Sequence, residues 1–339
     1  MTPDLLLLLI AGAGVLGIGA LSGGDDEGDP ADGPILFHGG SGDDELRADA
    51  DELADADQGP VTVILDGGAG DDTIYGEIGN TSLNRPDIDR FEIRGGDGDD
   101  LIWSRDEGRE TLTDGGAGND SIYGWQQSWS PETLQGGEGD DLLQSGGDTM
   151  EGGAGDDTLV AAPIGPDYET PPLDPANPED TVYDPDMEGA PTVLTGGEGA
   201  DDFALSAGYW QHVNDARAPG DAPSQQMNDV LVTDFDPAED QLVLPDRVGL
   251  FHSRDFLDSL PDSILNVTAA FDGITAEPTA DGTGTVLTVH YAAVQEQELD
   301  PLMVRITLAG VTDFDTASIA FSSATPIDYD AVIARAGLG

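Results

Sequence analysis

The chain has 339 residues, of which 69 are acidic and 11 basic, and its formal net charge is −58. A chain this acidic repels nucleic acid and anionic membrane surfaces and attracts cations, so nucleic acid is not an expected partner. The chain contains no cysteine, which excludes disulfide bonds and thiolate metal sites.

The first predicted element is an apolar segment, Leu5 to Leu21, that contains no charged residue. As a helix it would be about 26 Å long, slightly short of the ~30 Å hydrocarbon core of a bilayer. Small residues at Ala20–Ser22 suit signal cleavage, although the positive region that opens most signal peptides is missing. Three interpretations stay open: an uncleaved membrane anchor, a cleaved secretion signal and a buried core helix. We assign residues 1–24 to this segment and residues 25–36 to an acidic linker.

A nine-residue pattern, G-G-x-G-x-D-x-U-x with an apolar residue at U, then occurs seven times. A flexible glycine-rich linker would not keep three glycines and one aspartate at fixed spacing. The copies begin at Gly39, Gly67, Gly95, Gly115, Gly136, Gly152 and Gly196, and their sixth position is Asp44, Asp72, Asp100, Asp120, Asp141, Asp157 and Asp201.

The residue types in this pattern favour a hard divalent cation. Glycines permit tight turns that aim carbonyl oxygens into one concavity, and the aspartate adds a carboxylate. Calcium takes six to eight oxygen ligands at ~2.3–2.6 Å in tolerant geometry, whereas magnesium requires a strict octahedron and softer metals prefer histidine or cysteine. One loop cannot supply this many oxygens, so two facing loops are expected to share an ion.

Short strands are predicted on both sides of every loop. Runs with alternating apolar residues, such as "VTVILD" before Gly67, precede the copies, and x-U-x reads as a second strand. Successive copies lie 28, 28, 20, 21, 16 and 44 residues apart, which fits one turn of a coil per copy. Such a coil would stack its loops on one edge, with several calcium ions between them. The longest interval contains a proline-rich acidic stretch, residues 162–191, which we interpret as an insertion that leaves the coil.

The copies, for example "GGAGDDTIY" at residues 67–75, resemble the calcium-binding nonapeptide of the repeats-in-toxin (RTX, hemolysin-type) family. The resemblance covers roughly residues 37–205 and implies an all-β fold, a parallel β-roll or β-helix solenoid with its calcium loops on one edge. It also implies that the seven sixth-position aspartates bind calcium through their side chains. The copies of this chain are separated rather than in tandem, so we expect one row of ions rather than two. Carbonyl oxygens of the glycine turn would complete each shell, with these first glycines as candidates: Gly39, Gly67, Gly95, Gly115, Gly136 and Gly152.

Residues 206–339 predict a β-rich C-terminal capping domain. Its beginning, "NDVLVTDFDPAEDQLVLPD" at residues 228–246, resembles the segment that closes the β-roll in secreted metalloproteases of the same family. Further strands are predicted at residues 264–271, 285–294, 302–311 and 318–323.

No catalytic motif is evident in the chain. Neither H-E-x-x-H nor G-x-S-x-G occurs, and the 38 residues before the first copy are too few for the catalytic domain that many family members carry there. The four histidines, His38, His212, His252 and His290, are isolated in the sequence. The sequence therefore predicts a non-catalytic, calcium-binding extracellular or cell-surface protein with an unidentified protein or polysaccharide partner.

The alternative is a carbohydrate-active or other secreted accessory enzyme, with its site in the C-terminal domain or on a face of the coil. Exposed aromatic side chains would favour it, and the candidates near the coil are Trp103, Trp125 and Trp129.

Overall fold

The computed structural model describes residues 35–47, 61–78, 88–106, 110–126, 132–146, 149–162, 191–207, 209–212, 228–252, 268–293 and 302–323. These residues form 22 β-strands and one 3-10 helix, Thr316–Ser318, and none of them lies in an α-helix. The chain divides into two compact units, residues 1–159 with 194–202, and residues 160–193 with 203–339. The apolar segment 5–21 lies outside the described residues, as do most of the linker and nearly all of the proline-rich insertion.

Strands from each repeat alternate between two sheets. One sheet holds the strands that enter the loops, in the order β1 (Ile35–Ser41), β3 (Val61–Ala69), β5 (Ile88–Asp97), β7 (Glu110–Ala117), β9 (Glu132–Glu138), β11 (Thr149–Ala154) and β13 (Thr192–Glu198). The other holds the strands that leave them, in the order β2 (Glu45–Arg47), β4 (Thr73–Ile78), β6 (Leu101–Asp106), β8 (Ser121–Gln126), β10 (Leu142–Ser145), β12 (Thr158–Ala161) and β14 (Asp202–Leu205). Neighbouring strands pair in parallel, for example β3 with β5 and β4 with β6. The predicted all-β parallel solenoid is confirmed.

Apolar residues at every second position fill the interior of the coil, as the two-residue period of a strand requires. On the incoming strands Val63, Leu65 and Ile93 are fully buried. On the outgoing strands the eighth residue of each repeat is buried, and Ile102 and Ile122 have no exposed surface. Burying one such side chain contributes roughly 1.5–3 kcal/mol, and each outgoing strand buries few of them, so the coil core is thin.

The coil interior is not apolar throughout. Glu132 is only 5% exposed, and its Oε1 accepts hydrogen bonds from the hydroxyls of Ser104 and Thr113, the latter at 2.8 Å. Such donors compensate for much of the cost of burying a carboxylate. Its place at an inward position was not predicted, because a glutamate interrupts the apolar alternation there.

The second unit contains longer antiparallel strands. Strands β19 (Thr268–Pro278), β20 (Gly284–Ala293) and β21 (Leu302–Ala309) form an antiparallel meander, and β16 (Asn228–Val232) pairs in parallel with β21. The rest of this unit comprises β15 (Tyr209–His212), β17 (Gln241–Pro245), β18 (Arg247–His252) and β22 (Ala320–Ser322), with β15 beside β18 and β17 beside β22. Strands β15 and β18 were not predicted.

A conventional core holds the second unit together. Leu287, Val289, Val304 and Ile306 are fully buried. Tyr291 is buried too, packs edge-on against Phe271 and donates a hydrogen bond to the Pro245 carbonyl at 3.2 Å. The capping role of this unit stays a prediction.

Candidate metal site

The repeat loops stack in register along one edge of the coil. Their second glycines are direct partners across the sheet, Gly68 with Gly96 and Gly96 with Gly116. The amide of each fourth glycine donates to the third-position carbonyl of the next loop, as from Gly70 to Asp97 at 2.7 Å. The prediction that the loops share one edge is confirmed.

The glycines of each loop serve two different purposes. The second and fourth glycines of all seven copies have φ between 106° and 145°, a region that other residues rarely adopt. The first glycine provides room instead. A Cβ on Gly95 would lie 2.2 Å from Asp100 Oδ2 and 2.4 Å from the carbonyl oxygen of Gly115.

One oxygen of the sixth-position aspartate links neighbouring loops in copies two to seven. The amide of Asp72 donates to Asp100 Oδ1 at 2.7 Å, and the amide of Asp100 donates to Asp120 Oδ1 at 2.8 Å. The same bond joins the sixth and seventh copies, from Asp157 to Asp201 Oδ1 at 2.9 Å. These bonds run from the amide of one loop to the carboxylate of the next.

The other oxygen, Oδ2, is buried and has no hydrogen-bond partner in five successive copies: Asp72, Asp100, Asp120, Asp141 and Asp157. Each Oδ2 lies beside the first-glycine carbonyl of the following loop, because both oxygens lie within 2.6 Å of where a Cβ on the intervening glycine would be. Buried polar atoms normally have partners, yet each Oδ2 lacks a hydrogen-bond donor and lies beside a second acceptor oxygen. An oxygen-binding cation fits this arrangement.

The pKa values of these carboxyl groups are raised above the usual value for aspartate. Burial raises the pKa of Asp100, Asp120 and Asp141 to about 7 and the pKa of Asp72 and Asp157 to about 6. The backbone hydrogen bond to each carboxylate opposes this rise in pKa, and neighbouring carboxylates add to it. A divalent cation at the site would favour the charged form and so reverse the effect.

The atoms along this edge that could bind a metal are all oxygens. In the described part of the chain, no three histidine, cysteine or acidic side chains gather in one place to hold a metal. A metal at this edge therefore depends on backbone carbonyls as well as carboxylates, a donor set that suits calcium.

The structure places the predicted first-glycine carbonyls unequally. Those of Gly67, Gly95, Gly115, Gly136 and Gly152 each lie beside the carboxylate of the preceding loop. Gly39 belongs to the first loop, and no earlier loop is described. The carbonyl of Gly196, which was not among the candidates, lies beside Asp157 in the same way.

A family model of the RTX calcium-binding nonapeptide repeat matches the chain in four copies, over residues 63–83, 92–106, 114–128 and 129–159. RTX calcium-binding repeats therefore lie within residues 63–159. The matched residues include loops two to six, while the first and seventh loops, outside the match, stack in the same register. Comparison with curated proteins and with solved structures finds no match.

Two residues considered for other roles have described contacts. Trp103 is half-buried and stacks on Tyr123 with ring centroids 4.4 Å apart. His38 Nδ1 lies 3.6 Å from Asp66 Oδ2. The Trp125 side chain and Trp129 lie outside the described residues. Among the described residues, no helix is long and apolar enough to cross a membrane.

Sequence reasoning missed one set of residues in the RTX loops, the fifth position. Its side-chain oxygen accepts a hydrogen bond from the fifth-position amide of the following loop, as from Asn119 to Asp99 at 2.8 Å. The residue type at this position could have revealed the ladder, because six of the seven copies have an aspartate or asparagine there: Asp43, Asp71, Asp99, Asn119, Asp140 and Asp156.

Proposed function

We propose that this chain is a calcium-binding extracellular or cell-surface protein whose RTX coil folds when calcium binds, and that it acts without catalysis. The observation that carries the proposal is the row of buried, unpartnered Oδ2 atoms beside backbone carbonyls. Calcium between successive loops would give these oxygens the partner that the folded chain does not provide.

The number of ions follows from the stacking. Seven loops leave six intervals, and a carboxylate oxygen of one loop lies near a first-glycine carbonyl of the next in all six. We propose one calcium ion in each interval. In each interval the carboxylate ligand would come from the first of the two loops: Asp44, Asp72, Asp100, Asp120, Asp141 and Asp157. Asp201 lies in the seventh copy, which no further repeat follows, so it would not share an ion with a following loop.

Charge links calcium to folding. Without metal, the carboxylates of neighbouring loops repel one another in a buried setting, and this repulsion opposes the compact state. Calcium binds the folded coil far better than the open chain, so each site stabilises the fold by RT ln(1 + [Ca]/Kd). With Kd near the ~10⁻⁴–10⁻³ M of extracellular modules, millimolar calcium folds the coil and submicromolar calcium leaves it open.

This dependence supports a location outside the cytosol. An unfolded coil at cytosolic calcium suits export of an extended chain, and the absence of cysteine leaves calcium as the crosslink. We infer that residues 5–21 act as a membrane anchor or a secretion signal. Immunodetection in fractionated native cells tests the location: the proposal expects the protein at the surface or in the medium, and a purely cytosolic pool contradicts it.

Contacts of the coil residues support the non-catalytic role. The repeated carboxylates of the loops form hydrogen-bonded ladders between successive turns of the coil, and one face of the Trp103 ring stacks on Tyr123. We propose that the protein presents a calcium-rigidified coil to a protein or polysaccharide partner.

Titration calorimetry of the full chain tests the calcium assignment. We expect several calcium ions to bind at sub-millimolar to millimolar Kd and magnesium to bind more weakly, because carbonyl-rich loops suit the larger ion. Equal affinity for magnesium would contradict the assignment, and absence of calcium binding would contradict the function. Asp313→Asn, which removes an exposed charge in the second unit, is a matched control that should leave the titration unchanged.

A further inference from the structure

Two hydrogen-bonded ladders run along the loop edge in opposite directions. In the sixth-position ladder an amide donates to the carboxylate of the following loop, as from Asp72 to Asp100. In the fifth-position ladder an amide donates to the side chain of the preceding loop, as from Asn119 to Asp99 at 2.8 Å and from Asp140 to Asn119 at 2.8 Å. Every pair of consecutive loops is therefore tied in both directions.

The fifth-position ladder has a uniform construction. It begins with the amide of Asp71 on Asp43, at 3.1 Å, and ends with the amide of Ala200 on Asp156, at 2.9 Å. These side chains are exposed, in contrast to the buried Oδ2 row one residue away. They differ from the sixth-position carboxylates in lying on the solvent side of the turn.

The identity of the fifth residue follows the presence of a next loop. The six copies that are followed by another repeat loop have an aspartate or asparagine, and the seventh copy, which is not, has Ala200. The side-chain oxygen of Asn119 accepts the same hydrogen bond as the aspartates at this position, although the asparagine side chain carries no charge. The shared requirement is thus an oxygen acceptor and not a negative charge.

We propose that the fifth-position side chains are the positioning residues of the calcium row: they set the spacing of consecutive loops without contacting the ion, and so raise calcium affinity. The inference rests on the proposed binding of calcium between loops. Each bond fixes the following loop, whose first-glycine carbonyl lies beside the buried Oδ2 of the loop before. Loss of the bond would leave that carbonyl free to move away from the carboxylate.

The test compares four variants of the full chain: Asp99→Asn, Asp99→Ala, Asn119→Asp and Asn119→Ala. The first readout is the calcium midpoint of the far-UV circular dichroism signal. We expect both alanine variants to need about three- to tenfold more calcium, the range for one lost hydrogen bond. Asp99→Asn and Asn119→Asp should stay within about twofold of the parent chain, because each keeps an oxygen acceptor.

The second readout is amide hydrogen exchange, which tests the direction of the bond. Asp99→Ala should accelerate exchange at Asn119, in the following loop, whereas Asp100→Ala should accelerate it at Asp72, in the preceding loop. Asp99→Asn should restore protection at Asn119.

Three outcomes would overturn the proposal. If Asp99→Asn weakens calcium binding as much as Asp99→Ala and Asn119→Asp tightens it, the fifth position supplies a ligand. If the alanine variants match the parent chain in both readouts, the ladder positions nothing. If the circular dichroism signal of the parent chain does not change with calcium, the proposed function fails and the effect on calcium affinity fails with it. Amide exchange at Asn119 and Asp72 then still decides whether the two ladders form.

Discussion

The two units of this chain reach a β fold by different physical means. The second unit buries Leu287, Val289 and Ile306 between long strands, and its antiparallel meander has no row of buried acids. The coil has short parallel strands, a thin interior and an edge where carboxylate oxygens lack partners. Under the proposed function, the second unit depends on its apolar core for stability, while the coil depends on calcium.

The largest effect is expected where a side chain would disrupt the loop stacking. Gly118→Ala places a Cβ 2.0 Å from the Gly98 carbonyl oxygen at a φ of +133°. Backbone strain and overpacking together should cost about 3 kcal/mol or more of the unfolding free energy of the calcium-loaded coil. Urea unfolding followed by circular dichroism measures it.

The control for this prediction is Gly282→Ala in the second unit. Gly282 also has a positive φ, +73°, but a Cβ there would meet nothing within 4 Å. The cost should be about 1 kcal/mol, from backbone conformation alone. Equal costs at the two glycines would show that loop stacking adds nothing.

Removing one carboxylate charge should weaken calcium binding strongly. Asp120→Asn keeps an oxygen that can accept the Asp100 amide and replaces the unpartnered Oδ2 with a nitrogen donor, which cannot bind a cation. We expect the calcium midpoint to rise about tenfold, while the second unit keeps its stability. A midpoint within twofold of the parent chain would show that Asp120 is not a ligand.

Acid should partly replace calcium in the chelated protein. The raised pKa values of Asp72, Asp100, Asp120, Asp141 and Asp157, about 6 to 7, mean that the metal-free coil binds more protons than the unfolded chain between about pH 4 and pH 7. Its stability therefore rises as the pH falls through this window. Far-UV circular dichroism in chelator should show more β signal at pH 5 than at pH 7.5, though less than with calcium.

That gain of β signal should be confined to the coil, so amide protection of residues 284–293 in the second unit serves as the control. A metal-free coil that loses β signal as the pH falls from 7.5 to 5 would contradict the account of repulsion between buried carboxylates.

The smallest effect is expected at an ion pair on the second unit. Arg305 pairs with Asp229 through two hydrogen bonds, one of them 2.7 Å from Nε to Oδ1, and both side chains are partly exposed. Arg305→Gln should lower the unfolding free energy of this unit by less than about 1 kcal/mol, because exposed ion pairs contribute little. If Arg305→Gln shifts the calcium midpoint of the coil more than threefold, the stability of the second unit affects calcium binding by the coil.

Much of the coil was predictable because its signal is local. The glycine spacing, the sixth-position aspartate and the apolar eighth residue each depend on one turn and one strand, and Ile102 and Asp100 lie where the pattern placed them. The fifth-position ladder depends on hydrogen bonds between separate turns, up to 44 residues apart, so no single loop shows its purpose.

The remaining misses have the same origin. Strands β15 and β18 are short and pair with each other across about 40 residues, so neither has a local alternation long enough to predict it. Glu132 occupies an inward position because Ser104 and Thr113, on two other strands, supply its donors. Only the folded coil brings those hydroxyls together.

Amide hydrogen exchange of the full chain, with millimolar calcium and with chelator, measures directly whether calcium stabilises the coil. Residues 61–78 and 110–126 should be protected with calcium and exchange rapidly in chelator, while residues 284–293 and 302–309 should stay protected in both. Coil amides that keep their protection in chelator would contradict the claim that calcium supplies the stability the coil core lacks.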